Sequence, residues 1–197
     1  MAAGAQRVLY TSHMGADPTS AFSPMPVHAA TVEILRDCGV AFTSLRNGFY
    51  ASFTAQLVSQ SRAVETGQLV MPEDGPIAWT THTDLAEAAA IALTEGGLDG
   101  RTPALTAAEA VDMTGVAAIA SELTGRPIER VVISDTDYKA GMVGHGVPEA
   151  AADMLIGIFT AARRGDFAAT DPTLGRLIGR SPASLRDTLE PVLRPAR

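Results

Sequence analysis

Short apolar runs alternate with amphipathic stretches along most of the chain. Residues 7–11 (Arg-Val-Leu-Tyr-Thr) and residues 40–45 (Val-Ala-Phe-Thr-Ser-Leu) are apolar runs rich in strand-forming residues, which is typical of buried strands. Residues 26–38, between these runs, begin with a proline and are followed by Gly39, which favours a helix. A strand, a helix and a second strand at this spacing predict a parallel crossover and therefore an α/β fold.

The alternation of strands and helices continues to about residue 134, and the last third of the chain is predicted to be mainly helical. Residues 84–94 predict an alanine-rich helix with Asp84 at its capped start. Residues 101–105 predict a further strand, and residues 116–123 place apolar side chains along one helical face. Ser134 is predicted to cap a later helix.

Composition narrows the classes of protein that the chain can represent. Its 197 residues suffice for one packed domain, with or without a small appendage. The 15 Lys and Arg against 22 Asp and Glu give a net charge of -7, which argues against nucleic-acid binding. No apolar run is long enough for a membrane span, and the single cysteine, Cys38, excludes an internal disulfide. These features predict a soluble cytoplasmic protein.

Several common catalytic devices are missing from the sequence. Lys139 is the only lysine, and position 135 holds Asp, so the Tyr-x-x-x-Lys pair of ordinary short-chain dehydrogenases is absent. The four histidines are too far apart for a metal-binding pair on one helical turn, and no metal site is expected. The sequence also lacks Gly-x-Ser-x-Gly, the local signature of a serine hydrolase.

Several stretches together resemble one protein family. They are residues 2–12, His28 with residues 33–39, residues 42–50 (Phe-Thr-Ser-Leu-Arg-Asn-Gly-Phe-Tyr), and the shorter matches at 83–86, 100–102 and 174–180. In this order they resemble the NmrA-like, atypical short-chain dehydrogenases/reductases, in particular the bacterial type-two NAD(P)H:quinone oxidoreductases. The resemblance covers nearly the whole chain.

The resemblance implies only part of a Rossmann-like fold, a doubly wound parallel sheet. The family begins with a Gly-x-x-Gly-x-x-Gly turn that holds the cofactor diphosphate, and this chain has no such turn. Its one glycine cluster, residues 141–146, has the wrong spacing. We therefore expect the N-terminal βα units to be missing, with residues 1–112 forming the rest of the NAD(P)-binding domain. Residues 113–197 are expected to form a smaller, mainly helical substrate-side region.

The missing units should leave one edge of the sheet uncovered. The edge could be covered by a second copy of the chain in a homodimer or by a separate N-terminal piece. Alternatively, the fold could be rearranged, or the protein could have low stability. The sequence does not choose among them.

By resemblance, the cofactor-binding residues are Asn47, Gly48, Phe49, Tyr50, Ala51 and Ser52, and His28 matches a family position on the substrate side. The end of the first strand adds Ser12 as a cofactor contact and His13 as a substrate contact, because both side chains can hydrogen-bond there. Phe53 and Trp79 are predicted to help form a flat apolar wall for the substrate. Each assignment has a structural alternative. Asn47 and Gly48 also suit a simple strand-ending turn, and His13 suits an ordinary turn. His28 suits helix capping or packing, and the aromatic residues suit a core.

The resemblance implies transfer of a hydride from NADPH, with NADH as an alternative, to a small quinone-like molecule. No catalytic residue is assigned, because a quinone can take its protons from solvent. Without the glycine-rich turn, the chain alone is expected to bind NADPH weakly or not at all. The missing turn favours a second interpretation, a non-catalytic NAD(P)-responsive regulatory or protein-binding module of the NmrA type. Arg163 and Arg164 are interpreted as solvated residues at a helix end.

Overall fold

The computed structural model describes residue 4, residues 6–95 and residues 98–194. The elements of the N-terminal half are β1 (Arg7–His13), α1 (Pro24–Asp37), β2 (Ala41–Asn47), β3 (Phe49–Tyr50), α2 (Ala51–Gln60), α3 (Ala63–Thr66), β4 (Gln68–Pro72), β5 (Trp79–Thr80), α4 (His82–Thr94) and β6 (Gly100–Leu105). The later elements are α5 (Met113–Thr124), β7 (Glu129–Ile133), α6 (Asp135–Gly144), α7 (Glu149–Arg163), α8 (Thr173–Ile178) and α9 (Leu185–Leu193).

The predicted crossover forms the centre of a parallel sheet with the strand order β1-β2-β6. β1 and β2 pair without interruption from Arg7 opposite Ala41 to His13 opposite Asn47. β2 and β6 are also parallel, with an irregularity in register between Ser44 and Arg46. The α/β class and the parallel crossover are therefore confirmed.

The start of α4 differs from the prediction. Thr81 caps the helix, because its hydroxyl oxygen accepts a hydrogen bond from the backbone N–H of Asp84. The Asp84 carboxylate instead accepts from the Thr81 hydroxyl and from the backbone N–H of Ala183, and it pairs with Arg180. Asp84 therefore anchors the segment before α9. The predicted cap at Ser134 is confirmed, since its side chain accepts from Asp137 N–H.

A strand that the hydrophobic pattern did not predict joins the two halves of the chain. β4 pairs in parallel with β7, from Gln68 opposite Glu129 to Pro72 opposite Ile133. β4 therefore lies before residue 112, and its partner strand lies after it. The division into residues 1–112 and 113–197 stays a prediction, and this small sheet crosses it.

Buried apolar residues form two clusters. The smaller one lies between the β1-β2-β6 sheet and helices α4 and α8, and it includes Leu45, Leu85, Leu105 and Leu174. The larger one includes Phe49, Trp79 and the inward faces of α2, α5, α7 and α9. No helix in the described part of the chain is long and apolar enough to cross a membrane.

The main sheet has two edge strands, β1 and β6, and the β1 edge is the one that the missing units would cover. Among the described residues, β1 pairs with β2 alone, so its outer backbone N–H and C=O groups have no strand beside them. On α1, which packs on the sheet, Val27 and Ile34 are 64% and 61% exposed. The expected open edge is present, and the identity of whatever covers it stays a prediction.

Candidate functional site

Four of the predicted residues lie together where β1 and β2 end. We call Ser12, His13, His28 and Asn47 the strand-end cluster. Ser12, His13 and Asn47 are 3%, 8% and 5% exposed. The chain that follows each strand is held in place, because Met14 N–H donates to the Asn47 carbonyl at 2.8 Å. The carboxyl ends of parallel strands are where open α/β sheets bind ligands.

Two polar atoms of this cluster are buried and have no hydrogen-bond partner among the described residues. They are the Ser12 hydroxyl oxygen and the Asn47 side-chain oxygen Oδ1. A buried polar group without a partner costs about 1–3 kcal/mol, and native proteins retain few such groups. Ser12 lies opposite Arg46 and Asn47 lies opposite His13, so the two atoms are on opposite faces of the sheet at its carboxyl end. A ligand that lies across this end of the sheet can contact both.

His13 is held in one orientation and in its neutral form. Its Nδ1 accepts a hydrogen bond from Gly15 N–H at 3.1 Å, so the proton of the neutral ring resides on Nε2. Burial, together with the nearby charges of His28 and Arg46, lowers the pKa of His13 from 6.5 to about 3. The ring packs edge-on against Phe49 and Phe167, with centroids 5.3 and 5.5 Å away. At neutral pH, His13 is therefore an uncharged hydrogen-bond donor flanked by two aromatic rings.

His28 reaches the cluster from the first turns of α1. Its Nδ1 lies 2.6 Å from the Tyr10 hydroxyl, and its ring lies 6.4 Å from the His13 ring in a stacked arrangement. Burial lowers the pKa of His28 as well. Tyr10 was not predicted as a site residue, because its role depends on α1 folding back over β1 across 18 positions of sequence.

Gly48 has a packing role that the structure makes explicit. A Cβ at this position would lie 2.2 Å from Thr80 Oγ1 and 3.1 Å from the Ala78 carbonyl oxygen. Thr80 Oγ1 in turn accepts from Ala107 N–H. Glycine is therefore needed here for the close approach of β5, whatever further role Gly48 has toward a ligand.

The remaining predicted residues fall into two environments. Phe49, Ala51 and Trp79 are buried in the core, where Trp79 Nε1 donates to the Val111 carbonyl at 2.8 Å. Phe53 is half-buried and contacts Phe49. Tyr50 is 40% exposed and stacks on His82 with centroids 4.1 Å apart, while Ser52 is exposed in the first turn of α2. Phe49 therefore contacts the strand-end cluster through His13, whereas Tyr50 and Ser52 are exposed.

Two other features bear on candidate chemistry. Among the described residues, no three His, Cys, Asp or Glu side chains converge as a metal site would require. The glycines between 141 and 146 lie within and directly after α6, which has Ser134 rather than a glycine-rich turn at its start. This segment therefore lacks the strand-turn-helix geometry of a phosphate loop.

Known proteins resemble the chain along almost its whole length. It is 33% identical over 189 residues to quinone oxidoreductase 2 of Escherichia coli, covering 95% of this chain and 65% of that protein. It is 30% identical over 196 residues to an NmrA-like family domain-containing oxidoreductase of Aspergillus flavus, covering 97% of this chain and 63% of that protein. The chain thus spans slightly less than two thirds of these relatives. No model of a known protein family matches it.

Solved structures extend the likeness to the fold. A crystal structure of the NADPH-dependent quinone oxidoreductase 2 of Escherichia coli superposes with a TM-score of 0.86 at 33% identity, over 97% of this chain and 68% of that one. The triphenylmethane reductase of Citrobacter, crystallised with NADP(H), superposes with a TM-score of 0.86 at 30% identity, over 97% of this chain and 66% of that one. The partial Rossmann-like fold is therefore confirmed. The chain belongs to the NmrA-like family of atypical short-chain dehydrogenases/reductases that includes quinone oxidoreductase 2.

Proposed function

We propose that this chain forms the nicotinamide-side and acceptor-side part of an NADPH-dependent reductase that reduces a quinone. The observation that carries the proposal is the pair of unpartnered buried atoms, Ser12 Oγ and Asn47 Oδ1, at the ends of adjacent parallel strands. The relatives support it, because quinone oxidoreductase 2 has been crystallised with NADPH. NADH stays an alternative cofactor.

The residues present fit the nicotinamide end of such a cofactor. A carboxamide has one carbonyl oxygen and two N–H donors, so it can donate to Asn47 Oδ1 and accept from His13 Nε2–H, which lies opposite Asn47 in the strand pairing. The attached ribose has hydroxyl groups that can reach the Ser12 hydroxyl on the other face of the sheet. His13 adds a neutral Nε2–H donor, and His28 with Tyr10 adds a second polar pair on the α1 side. No charged group belongs to the strand-end cluster itself at neutral pH. These uncharged surroundings suit a reduced nicotinamide ring, which is itself uncharged.

The described residues do not fit the diphosphate end. A diphosphate is held by several backbone N–H groups at the start of a helix that follows a strand and a glycine-rich turn. Among the described helices, α1, α2 and α4 follow strands of the main sheet or its continuation, and none begins with a glycine-rich turn. We propose that another polypeptide segment supplies this cradle.

The chain's own residues would act by positioning and by excluding water. When bound, NADPH would supply the hydride, and a solvent proton completes reduction of the quinone to the hydroquinone. Asn47 would fix the orientation of the nicotinamide carboxamide and Ser12 that of the attached ribose, while the rings of His13, Phe49 and Phe167 exclude water beside them. No side chain needs to transfer a proton, which agrees with the neutral, low-pKa state of His13.

Binding of the two halves of NADPH tests the placement directly. Calorimetric titration of the purified chain is expected to detect reduced nicotinamide mononucleotide and to show no binding of adenosine 2′,5′-bisphosphate. Intact NADPH should bind weakly, because only one end is held. Binding of the adenosine half without the nicotinamide half would overturn the placement.

Two matched serine variants distinguish an effect on ligand binding from an effect on stability. Ser12→Ala removes an unpartnered buried hydroxyl at the strand end, whereas Ser44→Ala removes another unpartnered buried hydroxyl earlier on β2. Both changes should leave the free energy of unfolding within about 1 kcal/mol of the wild type, since neither hydroxyl has a partner to lose. Ser12→Ala should weaken reduced nicotinamide mononucleotide binding about tenfold, and Ser44→Ala should not change it. Equal effects of the two substitutions on binding would refute the assignment of Ser12.

The open edge of β1 is the place where we propose that the missing cradle docks. A parallel strand added there would satisfy the outer backbone groups of β1 and extend the sheet past the strand-end cluster. A separate N-terminal piece is one source of that strand, and a second copy of the chain is the other. Sedimentation of the purified chain distinguishes them, because only self-association gives a dimer. A dimer would favour the second copy as the cover of β1, and it should still bind intact NADPH weakly, because a second copy brings no glycine-rich turn.

A further inference from the structure

A second pocket lies beside the strand-end cluster and is lined by three arginines. Its cavity has a volume of about 250 Å³, and we call it the arginine pocket after Arg46, Arg101 and Arg164. The rest of the lining is formed by Met14, Gly15, Ala16, Asp17, Thr19 and Asp166. Arg46 lies on β2 directly opposite Ser12, so the two side chains are on the same face of the sheet.

Each guanidinium of the pocket makes one hydrogen bond to a backbone carbonyl of the loop. Arg46 donates to Met14 at 2.8 Å, Arg101 donates to Ala16 at 3.3 Å, and Arg164 donates to Thr19 at 3.4 Å. Since a guanidinium has five N–H donors, most of these donors have no protein partner in the described part of the chain. Arg46 Nε is buried and unpartnered.

These three arginines also lack carboxylate partners. Nine other Lys and Arg side chains form ion pairs within 4.0 Å. Among the described residues, Arg46, Arg101 and Arg164 form none, although the chain carries a net charge of -7. Burial lowers the pKa of Arg46, and the nearby charge of Arg101 adds to this effect. Positive charge is thus concentrated at one place in an acidic protein.

The carboxylates of the pocket hydrogen-bond to groups other than the three arginines, although the pKa of Asp17 is lowered by its hydrogen bonds from Thr19 and also by the charge of Arg101. Asp17 Oδ1 accepts from the backbone N–H and the hydroxyl of Thr19, and Asp166 Oδ2 accepts from the Ser20 hydroxyl. Asp171 acts on Arg46 through its charge without forming an ion pair with it. Three arginines against Asp17 and Asp166 leave the lining with one net positive charge. That balance suits a single negative group.

We propose that the arginine pocket binds a carboxylate or sulfonate group of the acceptor substrate. Guanidinium groups bind planar and tetrahedral oxyanions through paired N–H donors, which is the donor set left open here. The cavity is large enough for such a group with part of the ring that carries it. Because Arg46 is opposite Ser12, the reducible part of the acceptor would then lie toward the nicotinamide contacts. This inference rests on the proposed function for the identity of the ligand as an acceptor.

Three probes test the pocket without requiring turnover. Anthraquinone-2-sulfonate carries both a quinone and an anion, 2-(hydroxymethyl)anthraquinone carries the quinone alone, and benzenesulfonate carries the anion alone. The anthraquinones also lack the open ring position through which simpler quinones react with a thiol such as the exposed Cys38. Calorimetric titration of the full chain is expected to give about tenfold tighter binding of the sulfonate than of the hydroxymethyl compound. Added salt should reduce this preference.

Arginine variants assign the preference to the pocket. Arg101 and Arg164 are exposed, so the double variant Arg101→Gln/Arg164→Gln should fold, and its thermal unfolding checks this. The double variant is expected to bring the two anthraquinone affinities within about twofold of each other. Arg126→Gln, which removes an exposed arginine outside the pocket, should keep the wild-type preference.

The outcomes separate the two proposals. If the wild type shows no sulfonate preference, or if the preference survives in the folded double variant, the arginine pocket is not an anion site. Suppose that benzenesulfonate and the sulfonated quinone both bind through the pocket while the chain, supplied with the missing diphosphate-binding segment, reduces no quinone. In that case the anion site is supported and the proposed function is wrong. If quinones are reduced without regard to charge, the proposed function stands and this inference fails.

Discussion

Two arginines lie near the ends of two parallel sheets, and their surroundings differ sharply. Arg130 on β7 pairs with Asp74 and donates to the carbonyls of Met71 and Pro72 on β4, and its side chain is 8% exposed. Arg46 on β2 has one carbonyl partner, a buried and unpartnered Nε, and no carboxylate partner among the described residues. The buried arginine at the β4-β7 end therefore has both carboxylate and carbonyl partners, whereas the arginine at the β1-β2 end has only a carbonyl partner among the described residues.

The contrast extends beyond the two arginines. Asp74 accepts from Met113 N–H as well as from Arg130, so each charged group at the β4-β7 end has several partners. At the β1-β2 end, Ser12 and Asn47 have unpartnered oxygens beside the neutral His13. A hydrogen-bond network in which every buried polar group has a partner stabilises the fold. A network with unpartnered groups is retained where a ligand supplies the missing partners. Substitutions at the two ends should therefore have different consequences.

Removing Arg130 should have the largest effect on stability. Arg130→Met leaves Asp74 buried without its cation and leaves the β4 carbonyls without a donor, which should lower the free energy of unfolding by about 3–5 kcal/mol. Urea unfolding followed by circular dichroism measures this loss. Arg126→Met, at an exposed position, is the control and should change stability by less than about 0.5 kcal/mol. If Arg130→Met changed the free energy of unfolding only slightly, Arg130 would not stabilise the β4-β7 end more than Arg46 stabilises the β1-β2 end.

Gly48→Ala should have the next largest effect, because it disturbs the β1-β2 end through backbone packing. The added methyl group would overlap Thr80 Oγ1 and press on the fixed Ala78 carbonyl, so we expect a loss of about 2–3 kcal/mol. The double variant Gly48→Ala/Thr80→Ala should lose less than the sum of the single losses, because one clashing atom is removed. Additive losses in urea unfolding would indicate that Thr80 is not the cause.

The buried neutral His13 predicts a pH dependence of stability. The pKa of His13 is lowered from 6.5 to about 3 in the folded state, so the unfolded chain binds the extra proton between these values. Stability from this residue is therefore present above the unfolded pKa and is lost as pH falls toward the folded pKa. Between about pH 7 and pH 5 the loss should be about 2 kcal/mol.

The comparison of variants isolates this contribution. The free energy of unfolding of His13→Leu should fall less steeply with acidification than that of the wild type, by about the same 2 kcal/mol. His145→Gln, which removes an exposed histidine, should follow the wild-type curve. If His13→Leu and the wild type gave parallel curves, His13 would be accessible to protons in the folded state.

The sequence predicts the central crossover well, because residues 7–11, 26–38 and 40–45 carry strong apolar patterns and clear helix boundaries. It does not predict β4, because the pairing of residues 68–72 with residues 129–133 is set by tertiary contact alone. Within the site, Ser12, Asn47 and Gly48 could be predicted from their place at strand ends and from the family resemblance. The arginine pocket could not, because Arg46, Arg101 and Arg164 are far apart in sequence and meet only through the fold.

Arg46→Met should have the smallest effect on stability, and it tests the contrast most closely. The substitution gives up one hydrogen bond to Met14 but also removes a partly buried cation without a carboxylate partner, so the free energy of unfolding should stay within about 1 kcal/mol of the wild type. Binding of anthraquinone-2-sulfonate should weaken about tenfold in the same protein, because the innermost guanidinium of the pocket is lost. Arg46→Lys keeps the charge without the paired donors, so its affinity should fall between the two. If Arg46→Met unfolded as easily as Arg130→Met, then Arg46 would be a structural arginine like Arg130, and the open donors at the β1-β2 end would need another explanation.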